Sequence, residues 1–474
     1  MALPVDATVK PLGASPLASG GALRFCLRHE RTLLWALLSA AMLTRFALAA
    51  GSPTPFGYIY DFYPVAVRFV YDHHALPPPS ACWICAHPPL FWIVGAPFYA
   101  LGMFVSHGDR LVAQRALCGL PLLCDVVTVL YTYRLLRLYR QRGLFLVLGT
   151  ALCASFPCLA ISSHAPESDI LLTALMVAGL YHLARIHVER PSGVADAAWL
   201  GVLCGLAALT KYSGLLLALT AAAVLLGQWL GGRTRAHTVR QAGLACGLFL
   251  ATAGSHYLYN LTVRHELLVA NGSARDGFRV LGLADRARNF HLYDFASLKL
   301  DAALALFERH DRLKLSDEPV YGSVWTTLHA MAWTDMSMFS VHERHGDPSL
   351  PYPTRHVSLA LIRLVLLLGL VPTALACIGG GLSAYRKRLW PLSFFAASSF
   401  LTYVWWFLAQ DSWALKTKYL LFLLPVYVLF ALVGLRGLLR LRGVLGQAVA
   451  NGAVALLLAL VLSSITYLLS FALA

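Results

Sequence analysis

The feature that most constrains this chain is a series of long apolar stretches separated by short polar segments. A membrane-spanning helix needs about 20 mostly apolar residues. Stretches of about that length fall at residues 33–50, 144–162, 170–186, 195–209, 214–230, 242–259, 357–382, 392–410, 419–435 and 448–473. Two further segments, 88–105 and 111–136, are apolar with an ambiguous course. Composition closes the argument: 58% of the 474 residues are hydrophobic and only 13% are charged. Soluble domains run near 45–50% apolar and about 25% charged. A soluble chain of this makeup would expose aggregating apolar patches. A soluble enzyme, a disordered chain and a secreted disulfide scaffold are therefore excluded. The fold class that remains is an all-α polytopic membrane protein.

The 38 Lys and Arg against 23 Asp and Glu give a net charge of +15. On a soluble protein that excess would suggest nucleic acid. Here the basic residues gather between spans: Lys10 to Arg31, Arg134 to Arg142, Arg185 and Arg190, Arg233 to Arg240, Arg386 to Arg388, and Arg436 to Arg442. The positive-inside rule places all six groups in the cytoplasm. Alternation then places 51–87, 163–169, 210–213, 260–356 and 411–417 outside. An odd number of crossings is required between His87 and Arg134, yet two apolar segments lie there. One of them is expected to be re-entrant or interfacial, giving about 11 or 12 membrane helices. The long basic stretch before residue 33 marks the first span as a retained anchor rather than a signal peptide.

The expected organisation is a cytoplasmic segment at 1–32, a membrane core at 33–259 containing the outer loop 51–87, an extracytoplasmic loop or lid at 260–356, and C-terminal membrane helices at 357–474. Most of the ten cysteines lie inside spans as small apolar fillers. Cys82 and Cys85 lie in an outer loop, where a local disulfide and free thiols are both open. Asn260 and Asn271 head glycosylation sequons on the outer side.

Polar chemistry is concentrated at the outer boundary. The first outer loop carries Tyr60, Asp61, Arg68, Asp72, His73, His74 and His87. Residues 61–71 have a helical pattern and suggest a short amphipathic helix on the membrane surface. Asp61 could simply cap that helix or pair with Arg68. The second loop holds 12 acids and 11 basic residues. Its stretch from Tyr321 to Asp335, with Trp325 and Trp333 among hydroxyls, suits sugar rings or an interfacial aromatic belt. Arg45, Arg68, Lys211, Arg363, Lys416 and Lys418 all project to the outer boundary. Each alone could snorkel; gathered beside a carboxylate they suit an anionic, membrane-embedded ligand, for which a lipid phosphate is the natural candidate. Glu167 and Asp169 stand at the outer start of a span, where Asp169 also complements a helix dipole.

Five motifs in order resemble the GT-C superfamily of membrane glycosyltransferases. The nearest branch is the bacterial one related to protein O-mannosyltransferases and to the aminoarabinose and galacturonic acid transferases of lipopolysaccharide. They are Asp61 in the first outer loop, His87-Pro88-Pro89-Leu90, Glu167-Ser168-Asp169, the TKYSG turn at 210–214 and the KYLLFLLP run at 418–425. The resemblance covers about residues 33–440. Two departures are visible: Phe62 follows Asp61 where many relatives carry Glu, and Lys418 stands where Arg is common.

The resemblance implies a GT-C-type bundle, a polyprenyl-phosphate sugar donor and an outward-facing active site in a bacterial inner membrane. The acceptor would be a hydroxyl of a glycan, a lipid-linked glycan or a protein. A sugar hydroxyl is a weak nucleophile, and a nearby carboxylate can take its proton during attack. The lipid-phosphate leaving group needs cations to hold its gathering charge. Direct displacement would invert the anomeric centre. Asp61 is assigned as general base. Lys211, Lys416 and Lys418, backed by Arg68 and Arg363, are candidate donor-phosphate ligands. His87, Glu167, Asp169, Tyr60 and Trp325 are candidate sugar or acceptor contacts. No cofactor is required, because the cations do a metal's work, although the oligosaccharyltransferase branch uses a divalent metal. The rivals are a transporter or flippase of lipid-linked sugars, which would need polar residues along a mid-span path, and a lipid-linked-glycan ligase or polymerase.

Overall fold

The computed structural model describes residues 28–51, 57–82, 84–189, 193–231, 235–268, 296–298, 323–334, 358–384, 386–409, 417–441 and 444–472. Among the described residues every regular element is helical. Among the described residues seven helical stretches are long and apolar enough to cross a membrane, and three shorter apolar helices lie at Leu90–Val105, Leu144–Ala154 and Val194–Thr210.

The first helix, α1 (Glu30–Gly51), is the expected anchor. It is followed by α2 (Gly57–His73), which extends the helix expected at 61–71 by a turn at its start. The two prolines after His87 cannot join a preceding helix, and Pro89 stands at the N-cap of α3 (Leu90–Val105). The ambiguous 111–136 segment breaks in two. Asp109 caps α4 (Arg110–Leu117) by accepting from the Leu111 N–H at 2.8 Å. After Cys118 the chain continues as α5 (Gly119–Leu138). Taken together, 110–138 is long enough to span, whereas α3 has 16 residues and falls short. The 144–162 stretch also breaks, at Phe156 and Pro157, into α6 (Leu144–Ala154) and α7 (Pro157–Ser162).

At the centre is α8 (Ser168–Val188), buried around almost its whole circumference. A helix apolar on every side belongs in the interior of a bundle. It packs against α5, α9 (Val194–Thr210) and a 3-10 turn at Thr417–Leu423. The remaining helices are α10 (Leu215–Leu230), α11 (Arg235–Val263), α12 (Val324–Thr334), α13 (Leu359–Ala384), α14 (Trp390–Ala409), α15 (Leu424–Leu438) and α16 (Val444–Ala472).

Small residues let these helices approach closely, as is usual where lipid supplies no hydrophobic drive between them. A Cβ on Gly379 of α13 would overlap the Phe430 carbonyl of α15, and one on Gly434 would overlap Leu375. Gly369 of α13 leaves room for the fully buried Trp333 of α12, whose Nε1 lies 2.6 Å from where a Cβ would stand. Trp333 also meets Phe156 edge-on at 5.0 Å. The aromatic, hydroxyl-rich stretch at 324–334 is thus docked into the bundle.

The described members of the basic groups collect at one end of the bundle. The Gly143 N–H donates to Glu30 at 2.7 Å, Arg388 donates to the Leu138 carbonyl at 3.1 Å, and His187 Nε2 lies 3.0 Å from the Lys387 carbonyl. Three readings change. Arg45, expected at the outer boundary, is buried in a bidentate bond to the equally buried Asp125 of α5. Asn260, expected to open an outer loop, is helical and buried beside His256 at 3.2 Å, so its sequon offers no accessible amide. Cys82 and Cys85, left open between two states, are joined in a disulfide. Lys416, Asn271 and most of the 260–356 loop lie outside the described residues.

Candidate active site

At the end of the bundle opposite the basic groups, four charged side chains from three separate parts of the chain meet. Glu167 sits in extended backbone just before α8, and Asp169 lies in its first turn. Both are buried. Lys211 breaks α9 with an extended backbone, φ −154° and ψ 153°. The following turn, Tyr212–Gly214, folds back so closely that a Cβ on Gly214 would overlap the Ala207 carbonyl of α9. That close approach is why glycine ends the TKYSG motif, and it aims Lys211 at α8. Lys211 Nζ donates to Asp169 Oδ1 at 2.6 Å.

Lys418 enters from the 3-10 turn that leads into α15, and its Nζ donates to both oxygens of Glu167, at 2.9 and 2.7 Å. Thr417 Oγ1 anchors this turn to the Leu328 carbonyl of α12 at 2.6 Å. The Tyr419 ring lies between the two ammonium groups, 5.2 Å from Lys211 Nζ and 5.9 Å from Lys418 Nζ. Each lysine therefore has a carboxylate on one side and an aromatic face on another.

α2 is tied to the same place. Tyr63 Oη and Ser168 Oγ are 3.1 Å apart, and the Tyr63 ring meets Phe91 of α3 edge-on at 5.4 Å. The turn carrying His87 closes the site from the side of α3, with Tyr212 Oη donating to the Ala86 carbonyl at 3.5 Å.

The electrostatics follow from burial and pairing. Burial alone would push the Lys211 ammonium toward neutrality. Asp169, then the Tyr63 and Tyr419 hydroxyls, outweigh it and raise Lys211 above the usual lysine range. Burial, and then the Lys211 charge, hold His87 down at about 4, so its ring is neutral near pH 7. The tetrad is balanced, with two ammonium and two carboxylate groups. Each ammonium has three donors, and Lys211 directs one of its own to Asp169. An incoming phosphate oxygen would find donors already gathered and charged.

The sequence candidates divide clearly. Lys211, Lys418, Glu167, Asp169 and His87 come together. Tyr60 and Asp61 lie on the first turns of α2, and their side chains lie outside the described residues, as does all of Lys416. Arg68 pairs with Asp72 at 3.5 Å on the exposed side of α2. Arg363 is half-buried in the second turn of α13. Trp325 stacks on Phe400 at 5.5 Å, with the rings 9° from parallel, on the helix that supports Lys418. Tyr63, Ser168 and Tyr419 were not singled out in the sequence. Their signal was adjacency: each is within two residues of a candidate. Among the described residues no three His, Cys, Asp or Glu side chains are grouped as a metal site.

Residues 86–255 match the family of dolichyl-phosphate-mannose-protein mannosyltransferases. That span contains His87, Glu167, Asp169 and Lys211. No curated protein matches the chain. Among solved structures, the chain is similar to the oligosaccharyltransferase AglB of Archaeoglobus fulgidus in complex with an inhibitory peptide and a dolichol-phosphate, at 15% identity and a TM-score of 0.50, covering 94% of this chain and 56% of that one. The same archaeal enzyme tethered to an acceptor peptide gives 16% identity and a TM-score of 0.51, over 94% and 55% of the two chains. ArnT of Cupriavidus metallidurans bound to undecaprenyl phosphate gives 14% identity and a TM-score of 0.48, over 92% and 75%. The chain thus has the GT-C-type membrane fold, and it spans little more than half the length of the archaeal enzyme.

Proposed function

We propose that this GT-C-type bundle is a glycosyltransferase that moves a sugar from a polyprenyl-phosphate donor to an acceptor hydroxyl, and that the Glu167–Asp169–Lys211–Lys418 tetrad holds the donor phosphate. The observation that carries this reading is the convergence of two buried lysines, one from the end of α9 and one from the start of α15, on carboxylates two residues apart. Two ammonium groups fixed within reach of one point are what a departing lipid phosphate needs. The family match over 86–255 and the fold support it.

In this reading Lys211 and Lys418 turn part of their donor set from the carboxylates to the phosphate as the donor enters. The carboxylates keep both lysines charged and positioned beforehand, so little reorganisation accompanies the reaction. Asp61 is the general base. Glu167 and Asp169 are each engaged by an ammonium group, which leaves the base to another carboxylate. Asp61 lies on α2 two residues before Tyr63, whose hydroxyl docks that helix to Ser168. The acceptor hydroxyl attacks the anomeric carbon, its proton passes to Asp61, and the carbon–oxygen bond to the lipid phosphate breaks with inversion. Lys416 and Arg363 are further donor contacts, with Arg68, paired to Asp72 on the exposed side of α2, no more than a peripheral one; His87, Tyr60 and Trp325 are sugar or acceptor contacts. In this reading the chain sits in a bacterial inner membrane with the tetrad facing outward, an orientation supported by the basic clusters at the other end. A role in modifying lipopolysaccharide or another envelope glycan fits that placement.

A flippase would need a polar path through the spans. Among the described residues the pair Arg45–Asp125 is closed on itself, and the remaining buried ion pairs lie at helix ends or within two turns of one. The test is to incubate purified protein with labelled polyprenyl-phosphate sugars and candidate acceptors. Turnover that Asp61→Asn abolishes supports the assignment. Translocation of the donor without turnover refutes it.

A further inference from the structure

At the end of the bundle away from the tetrad, five arginines from three parts of the chain form a cluster with no carboxylate partner among the described residues. Arg140 follows α5, Arg386 and Arg388 lie between α13 and α14, and Arg436 and Arg440 lie at the end of α15. Among the described residues none of the five makes an ion pair. Glu30 accepts from the Gly143 N–H at 2.7 Å, and Glu189 is paired with Arg185. The charges act on one another: Arg436 is repelled by Arg440 and Arg386, and Arg388 by Arg140.

Two of these side chains, those of Arg388 and Arg436, are held in place by their neighbours. Arg388 Nη2 donates to the Leu138 carbonyl at 3.1 Å, and its guanidinium lies 5.9 Å from the Tyr139 ring centre. Arg436 lies over the Phe145 ring at 4.6 Å, with Nη2 3.5 Å from the Arg140 carbonyl. Arg140 occupies a left-handed backbone position, φ 58°, at the point where α5 closes its last turn. Glycine is the low-cost residue there, and an arginine held in that region costs on the order of 1 kcal/mol. Arg388 Nε and Tyr139 Oη are buried with no hydrogen-bond partner among the described residues. A topology signal needs only positive charge on a mobile loop. Pinned, mutually repelling guanidinium groups with buried unused donors describe a site for an anion. Ile378 and Leu382 of α13, with Leu441 and Val444 beyond α15, expose apolar surface at the same end.

We propose that this cluster binds the headgroup of an anionic phospholipid from the leaflet opposite the tetrad, with the phosphate held among Arg140, Arg388 and Arg436 and the acyl chains against the exposed apolar side chains. Guanidinium groups suit phosphate oxygens because they donate in pairs. The adjoining apolar surface favours a lipid over free phosphate. The site is independent of the transfer reaction and does not rest on it.

The test uses full-length protein stripped of lipid in neutral detergent. Phosphatidylglycerol, phosphatidylcholine and inorganic phosphate are titrated separately, and binding is read by adduct occupancy in native mass spectrometry and by the rise in unfolding temperature. Wild-type protein is expected to retain and be stabilised by phosphatidylglycerol, but not by phosphatidylcholine or inorganic phosphate. Replacing Arg388→Gln and Arg436→Gln together should weaken phosphatidylglycerol binding at least about tenfold. Replacing the exposed Arg134→Gln and Arg137→Gln, an equal loss of charge at the same end, should change it by less than about twofold. If the first pair does not fold, Arg388→Lys keeps the charge and should still weaken binding by about threefold or more. Equal losses for the two pairs, equal affinity for phosphatidylcholine, unchanged affinity in Arg388→Lys, or equal protection by inorganic phosphate would each overturn the proposal.

Discussion

Lys418 donates to both oxygens of Glu167, at 2.9 and 2.7 Å, across 251 residues of sequence. Both groups are buried. Removing one partner strands the other as an uncompensated buried charge, which costs about 3–5 kcal/mol. Glu167→Gln and Lys418→Met should each lower stability by about that amount, while the double variant should recover a large part of it. Unfolding in detergent, read as a double-mutant cycle, checks this. Additive losses would show that the two residues do not act as a pair.

Gly214 is where the 3-10 turn after Lys211 touches the Ala207 carbonyl. Gly214→Ala has to push that turn away from α9, at a cost of about 1–3 kcal/mol. Because the same turn aims Lys211, binding of a lipid phosphate should weaken along with stability. A variant of normal stability and normal binding would remove the turn from the account.

Acid should destabilise the protein through two neutral histidines. Burial, followed by the Lys211 charge, holds His87 at about 4, and burial holds His164 at about 4. The unfolded chain takes up these protons near the ordinary value of 6.5, before the folded protein does. Stability is therefore fully present above about 6.5 and is lost as pH falls toward about 4. Unfolding temperature measured across that window should drop, and His87→Gln should flatten the slope. A slope unaltered by His87→Gln would contradict the assignment for His87.

The Cys82–Cys85 disulfide closes a very short loop in the turn leading to His87. Loop-closure entropy assigns such a bridge about 2 kcal/mol. Replacing both cysteines by serine should lower stability by roughly that amount and loosen the turn beside the tetrad. No change in unfolding on adding reductant would show the bridge to be energetically idle.

Much of the bundle was legible in the sequence because the signal is compositional. A run such as 170–180 carries one hydroxyl, Thr173, and no charge, so it has no polar face to turn to water and forms a buried helix. The breaks were less visible. Pro157 splits a stretch that reads as one span by length and apolarity, although the proline itself marks the break. Which tryptophan faces the core was not readable either: Trp325 and Trp333 belong to similar surroundings in sequence, and Gly369 on another helix decides for Trp333. At the site, Lys211, Lys418, Glu167 and Asp169 were visible singly as polar residues at span ends. Their pairing was not, because it is set by how α8, α9 and α15 pack. For the same reason Arg45 read as a boundary cation, while the assembled bundle brings it within reach of Asp125 on α5.

The central claim is that Lys211 and Lys418 hold a lipid phosphate. The most direct measurement is the affinity of the purified protein for undecaprenyl phosphate, compared among wild type, Lys211→Ala, Lys418→Ala and Arg68→Ala. Loss of a charge-assisted contact should weaken binding at least about tenfold in each lysine variant. Arg68→Ala, at an exposed position, should change it by no more than about threefold. Undiminished affinity in both lysine variants would contradict the account.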